Sequence, residues 1–278
     1  MFERFSRSWA LAKASANVLR SDKELLIFPV ISAIAAILVA ATFLIPIIGM
    51  HVLEGGRGPL GYLVGFLFYV CQYFVIFFFN VALVGAAMIR LDGGDPTVSD
   101  GLRIAGSRVV QIIGYAAIAA TVGLILRLIE ERAGFIGRWI VGLLGLAFTV
   151  ATFLTVPVLV SRDVGPVEAI KESAALLKKT WGENIIGNAG MGFMFFLFYL
   201  GAAVIGGALI AGIAQTGNGA LIVLVAAIVV LAVIGLALVQ SALQGVYSAA
   251  LYRYATEGNA GESFPTELLG EAFRAKKR

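Results

Sequence analysis

Cysteine and histidine are nearly absent from this sequence: Cys71 and His51 are the only ones among 278 residues. A single cysteine excludes an intramolecular disulfide and a cysteine-based metal site. Cys71 lies in an apolar run and reads as a small packing hydrophobe. His51 and Glu54 share one polar loop, but two ligands are too few to hold a metal. Charge is scarce as well. Only 14% of residues are Asp, Glu, Lys or Arg, against about 25% in a soluble domain, and 60% are hydrophobic. That balance excludes an ordinary soluble globule and implies an integral membrane protein. Residues 1–24 are charged and amphipathic, unlike a cleavable signal peptide. No Asn-x-Ser/Thr acceptor for glycosylation occurs.

Long apolar runs, by contrast, are abundant. Asn184 to Tyr252 is 69 residues without Asp, Glu, Lys or Arg. One crossing needs roughly 20 apolar residues, so this stretch makes two spans, turned at Gln215-Thr216-Gly217-Asn218-Gly219. The expected spans are Leu25 to Ile48, Leu60 to Ile89, Val109 to Leu126, Trp139 to Ser161, Ile185 to Ala214 and Ala220 to Tyr252. A charged loop, Arg127 to Arg138, separates the third from the fourth, and Pro157 falls near the fourth span's end. The second span opens with Gly61-x-x-x-Gly65, a close-packing pattern. It also carries an aromatic run from Phe66 to Phe79, expected to face lipid and neighbouring helices.

Between the spans, amphipathic segments recur. Phe2, Phe5, Trp9, Ala12, Ala16 and Leu19 fall at steps of three and four, with Arg4, Arg7, Lys13 and Arg20 elsewhere around the helix. This is the pattern of a helix lying on the membrane surface; a helix packed on the protein's own spans shows the same stripe. Asp95-Pro96-Thr97 opens a second helix, with Asp95 as N-cap, Pro96 at the first helical position, and an apolar edge of Val98, Leu102, Ala105 and Val109. Gly165-Pro166 opens a third, whose face is Val167, Ile170, Ala174, Leu177 and Trp181. A last short helix starts at Pro265-Thr266-Glu267.

Three spans end on arginine, at Arg90, Arg162 and Arg253, and each is followed by a helix-starting proline, Pro96, Pro166 or Pro265. The fold class is therefore an all-α membrane protein. Its six transmembrane helices form three hairpins, each preceded by a cytoplasmic amphipathic interfacial helix. A single polytopic domain covers residues 1–278, with pseudo-repeats at 1–90, 91–162 and 163–253 and a cytoplasmic tail at 254–278. Of the basic side chains, 17 fall on one side of this topology and 4 on the other. The positive-inside rule then places both termini in the cytoplasm of a multi-pass protein of the cell (inner) membrane. Because the charges flank the spans, the net +4 implies anionic lipid rather than nucleic acid.

Groups that carry chemistry are missing where they would be needed. The expected span cores lack Asp, Glu, Lys, Arg and His, and no HExxH, GxSxG or GxxxxGK[ST] motif occurs. The adjacent pair Glu130-Glu131 points apart. No catalytic residue, cofactor or metal is expected, and the chain is not read as an enzyme. The uncharged polar residues Asn80, Gln240 and Gln244 remain, with Ser241 and Ser248 nearby. They serve either helix packing or a polar path between hairpins. Phe2, Phe5, Trp9 and Trp181 are the candidate membrane-surface residues.

Ser8-Trp9, Asp22-Lys23-Glu24-Leu25-Leu26-Ile27-Phe28-Pro29, Ala169-Ile170-Lys171-Glu172-Ser173 and Thr180-Trp181 carry a resemblance. The chain resembles uncharacterised six-span bacterial and archaeal membrane proteins, distantly like the membrane domain of glycerophosphodiester phosphodiesterases. The resemblance implies a fold and a location. No hydrolytic activity follows, because the soluble catalytic domain of those enzymes has no counterpart here. The functional expectation is a membrane module that binds lipids, or a protein partner or second copy. The alternative is a transporter or lipid-translocating protein for a neutral or lipidic substrate.

Overall fold

The structure is a computed structural model that describes residues 2–49, 59–181, 189–261 and 264. Its helices are α1 (Phe2–Ser21), α2 (Ile27–Gly49), α3 (Pro59–Leu91), α4 (Val98–Ser107), α5 (Val109–Arg132), α6 (Phe135–Ala151), α7 (Thr155–Ser161), α8 (Pro166–Trp181), α9 (Ala189–Ala214) and α10 (Gly219–Glu257). A short 3-10 turn, Lys23–Leu26, leads into α2. No strand occurs among the described residues. Six segments are long and apolar enough to cross a membrane: Lys23–Ile45, Leu63–Leu91, Val109–Arg132, Phe135–Ser161, Met191–Ala214 and Gly219–Glu257. The chain is an all-α membrane protein with six such helices.

Helix α3 is the hub, packing against α2, α4, α5, α7 and α10. Small residues make this close approach feasible. A Cβ at Gly101 of α4 would lie 2.5 Å from the Phe28 ring and 2.7 Å from the Ala82 carbonyl of α3. A Cβ at Gly245 of α10 would run into the Leu83 side chain. Consecutive long helices also pack on each other: α2 on α3, α5 on α6, and α9 on α10. Asn218 caps α10 by accepting from the Leu221 N–H at 3.3 Å, so the expected turn between α9 and α10 is where the sequence placed it.

The buried interior lies at one end of the bundle. It gathers Val81–Ala87 of α3, Ile112, Tyr115, Ala116, Ala119 and Ala120 of α5, Leu154–Leu159 around α7, and Ala242, Leu243 and Gly245–Tyr252 of α10, with parts of α1, α4 and α8. The opposite halves have almost no interior. Residues 30–45 of α2, 63–80 of α3, 121–132 of α5 and 220–239 of α10 include no buried residue. Val141 is the only buried residue of α6. In a membrane those halves are solvated by acyl chains, which favour apolar side chains facing outward as much as inward.

Several expectations need correction. The third span does not end at Leu126: α5 continues through Arg127, Glu130 and Glu131 to Arg132, and only residues 133–134 separate it from α6. Arg and Glu are good helix formers, and Arg127 bonds Glu131 one turn on at 3.4 Å, so nothing stops the helix before Ala133-Gly134. The N-cap of α4 is Thr97 rather than Asp95, because Thr97 and Asp100 satisfy each other's backbone N–H in a capping box. Gly65 meets nothing within Cβ reach, so it does not serve close packing.

Helix α1 packs on α9 and α10, and its buried residues include Leu11, Ala12, Ser15, Val18 and Leu19; Ala12 and Leu19 of the expected stripe are thus buried, while Trp9 stays 50% exposed. The buried stripe of α8 is Ala169, Ser173 and Leu177, leaving Val167 exposed. The expectations for His51, Glu54 and Pro265-Thr266-Glu267, and those for the side chains of Phe2, Phe5 and Trp181, lie outside the described residues.

Candidate functional site

Three features meet at the buried end: an ionic layer, a broken helix, and an aromatic column running away from it. The ionic layer joins the ends of the spans. Arg253, near the end of α10, pairs with Asp92 just after α3 at 2.6 Å and with Glu257 at 3.3 Å. Arg90 lies 3.6 Å from Asp95 and donates to the Gly94 carbonyl at 3.2 Å. Arg162 pairs with Glu172 at 2.9 Å. Arg108 pairs with Asp163, whose carboxylate also accepts from Gln111 at 3.3 Å. Each of the three span-ending arginines is thus bound to a carboxylate.

The same layer anchors the start of α4. The Glu24 carboxylate accepts from the Val98 N–H at 2.9 Å. Asp22 is buried and accepts from the Glu24 N–H at 3.2 Å. Burial pushes the Asp22 carboxyl above its usual range, against the pull of that hydrogen bond and of Arg90. Asp100 is shifted the other way, because the Thr97 hydroxyl and backbone N–H both donate to its carboxylate.

The fourth span is interrupted between α6 and α7. Pro157 has no N–H to give the Phe153 carbonyl, and its ring crowds that turn. The chain therefore runs through a turn at residues 152–154 before α7 begins. The break would strand backbone groups in a dry interior. Ser173 of α8 answers both: its hydroxyl donates to the Ala151 carbonyl at 2.7 Å and accepts from the Leu154 N–H at 3.0 Å. Ser173 is fully buried.

Beside this break sits Tyr115, with its hydroxyl next to Thr152 and Thr155. From Tyr115 a stack of rings climbs α3. Phe77 lies 4.3 Å from Tyr115 between centroids, Tyr73 5.6 Å from Phe77, and Tyr69 6.4 Å from Tyr73. At the far end Arg127 donates to the Tyr69 hydroxyl at 2.7 Å. The aromatic run of the second span thus builds a column against α5. Its local signal is the spacing of four between Tyr69, Tyr73 and Phe77; nothing local announces Tyr115 or Arg127 as partners.

The expected polar trio is only partly brought together. Gln240 accepts from the Tyr199 hydroxyl at 2.7 Å and so joins α10 to α9. Asn80 reaches α10 at Gly245, where its Oδ1 lies 3.8 Å from the position of a Cβ. Gln244, the preceding residue, is exposed. Gln240 and Gln244 lie about one turn apart on α10, Asn80 meets that helix from α3 at Gly245, and the three address different surroundings.

Six long apolar helices, span ends tied by ion pairs and a broken span stitched by a neighbour define a polytopic, all-helical membrane protein. A family model matches residues 59–264, and the chain belongs to that family, DUF6159, a family of unknown function. No curated protein matches the sequence. The match supports membership of an uncharacterised family and gives no support to the likeness to the phosphodiesterase membrane domain.

Proposed function

We propose that this protein is a non-enzymatic membrane module that binds anionic lipid at the end where its spans are tied together. The observation that carries this reading is the division of charge there. The carboxylates are largely engaged within the protein: Asp92 by Arg253, Asp163 by Arg108, Glu172 by Arg162, Glu24 by Val98, and Asp100 in the α4 cap. Lys13, Arg20, Lys23, Lys171 and Lys178 are exposed and pair with no acidic side chain among the described residues. The charge left over is positive. By the positive-inside rule this end faces the cytoplasmic leaflet, where each basic side chain contributes about 1 kcal/mol of attraction to anionic headgroups. Trp9 and Val167, exposed on α1 and α8, supply apolar contacts beside those charges.

The test is lipid retention by the purified protein. After exchange into nanodiscs of mixed phosphatidylglycerol and phosphatidylcholine, the wild type enriches phosphatidylglycerol, and added salt reduces the enrichment. Changing Lys13, Lys23, Lys171 and Lys178 to Glu together abolishes it. Equal retention of both lipids by the wild type overturns the reading. A second reading, passage of a neutral or lipidic solute, draws on the exposure of Gln244; the Tyr199 bond already accounts for Gln240 as a packing residue.

A further inference from the structure

We propose that α6 is a movable flap on the bundle, pivoted at its two ends and latched by Ser173 of α8. The two halves of the fourth span are held very differently. Leu154–Leu159, around α7, are buried without exception, and α7 packs on α3, α8 and α10. Helix α6 packs on α5 and α8 and buries one residue, Val141. Toward α5 there is room to spare: a Cβ at Gly145 would meet only the Leu126 side chain, at 3.7 Å. Among the described residues, the side-chain contacts of residues 135–150 stay inside the helix. Thr149 donates to the Gly145 carbonyl, and the Phe135 ring meets Trp139. The polar tie from α6 to another helix is the Ala151 carbonyl, which accepts from Ser173 at 2.7 Å.

Both ends of α6 are jointed. Among the described residues no backbone hydrogen bond runs from α7 back to α6: Thr155 and Val158 donate to Thr152 and Leu154, and Leu154 donates to Ser173. Helices bend where their ladder is interrupted in this way. At the other end, residues 133–134 make the whole connection to α5. No side chain caps the first turn of α6, and a Cβ at Gly134 would meet nothing within 4 Å. A rod pivoted at both ends moves sideways as one piece, so its displacement opens the seam between α5 and α6 to acyl chains and leaves the buried end intact. Ser173 sets how often that happens. In the closed position its hydroxyl satisfies the Ala151 carbonyl and the Leu154 N–H together, and displacement of α6 breaks the first of these bonds. Elements packed against a bundle switch between discrete positions of this kind. The flap is independent of lipid binding at the basic end.

The experiment uses the full-length protein in phosphatidylcholine nanodiscs, with Cys71→Ala removing the native thiol. Spin labels at Leu143→Cys on α6 and Leu67→Cys on α3, both exposed positions, report the flap by double electron–electron resonance. Labels at Leu67→Cys and Ile37→Cys form the control pair, because a Phe43–Phe68 ring contact at 5.5 Å ties α2 to α3. The flap pair shows a minor second distance that the control pair lacks. Ser173→Ala raises the ratio of second to first distance about tenfold, the worth of one unpaired carbonyl. Adding Pro157→Ala to that variant restores an N–H to the interrupted ladder and reverses the gain. Should Ser173→Ala fail to fold, the two pairs in the native background decide the matter alone. A single distance for the flap pair, a ratio indifferent to Ser173→Ala, a gain that survives Pro157→Ala, or a second distance appearing equally in the control pair overturns the proposal.

Discussion

Replacing Ser173 with alanine removes one oxygen and interrupts two backbone contacts. In the native protein that oxygen accepts from Leu154 and donates to Ala151 across the break between α6 and α7. Neither backbone group has a ready substitute. The next N–H along the chain that could serve the Ala151 carbonyl belongs to Thr155, and it is bonded to Thr152 at 3.0 Å. Leaving a buried donor or acceptor unpaired costs about 1–3 kcal/mol, so two of them predict a loss of about 2–6 kcal/mol for Ser173→Ala. The assay is equilibrium unfolding in mixed micelles, followed by fluorescence of the three tryptophans. Amide hydrogen exchange at Leu154 supplies a local readout and should accelerate with the same free-energy change. Thr149→Ala is the control: its hydroxyl donates only to the exposed Gly145 carbonyl of its own helix, and its loss should cost no more than about 0.5 kcal/mol. If Ser173→Ala is as mild as Thr149→Ala, the break is not held from α8 and the reasoning fails.

Other perturbations test the remaining joints. Gly245→Val drives a Cβ into Leu83 at the contact between α3 and α10, and unfolding should show a loss of about 1–3 kcal/mol. Thr97→Ala removes one half of the α4 capping box and should cost about 1 kcal/mol by the same titration. Asp22 is predicted to make the protein more stable in acid than at neutral pH. Its folded carboxyl sits above the usual 3.8, so the folded state holds the proton more tightly, and this contribution is lost as pH rises through the shifted range. Asp22→Asn keeps the oxygen that accepts from Glu24 and removes the buried charge; melting curves across pH should show a higher midpoint at neutral pH and a flatter acid slope. Gln240→Leu should cost only about 0.6 kcal/mol, the average for an interhelical hydrogen bond in a membrane, and should leave lipid retention intact.

What the sequence determined by itself is the number of crossings and most of the punctuation. The need for some twenty uncharged residues per span is a property of the bilayer, so six crossings can be counted from composition alone. The turn at Gln215 to Gly219, the start of α8 at Pro166 and the arginines that close three spans are local features, set by turn chemistry, ring geometry and headgroup charge. The tertiary structure decided which side of each helix is interior. Helix α9 and the outer half of α10 are apolar on every side, so their sequences carry no period that distinguishes a neighbouring helix from lipid.

The same limit hid the site. Pro157 signals a weak point in the fourth span, but that Ser173 repairs it, 19 residues later and from another helix, depends on how α8 lies under the break. Tyr69, Tyr73 and Phe77 share a spacing, yet Tyr115 and Arg127 join them only because α5 packs along α3. The exposure of Gln244 beside the bonded Gln240 likewise follows from where α9 crosses α10. Local chemistry places an element and ends it; the partners of its side chains are chosen by helices distant in the chain, whose packing a single sequence does not encode locally.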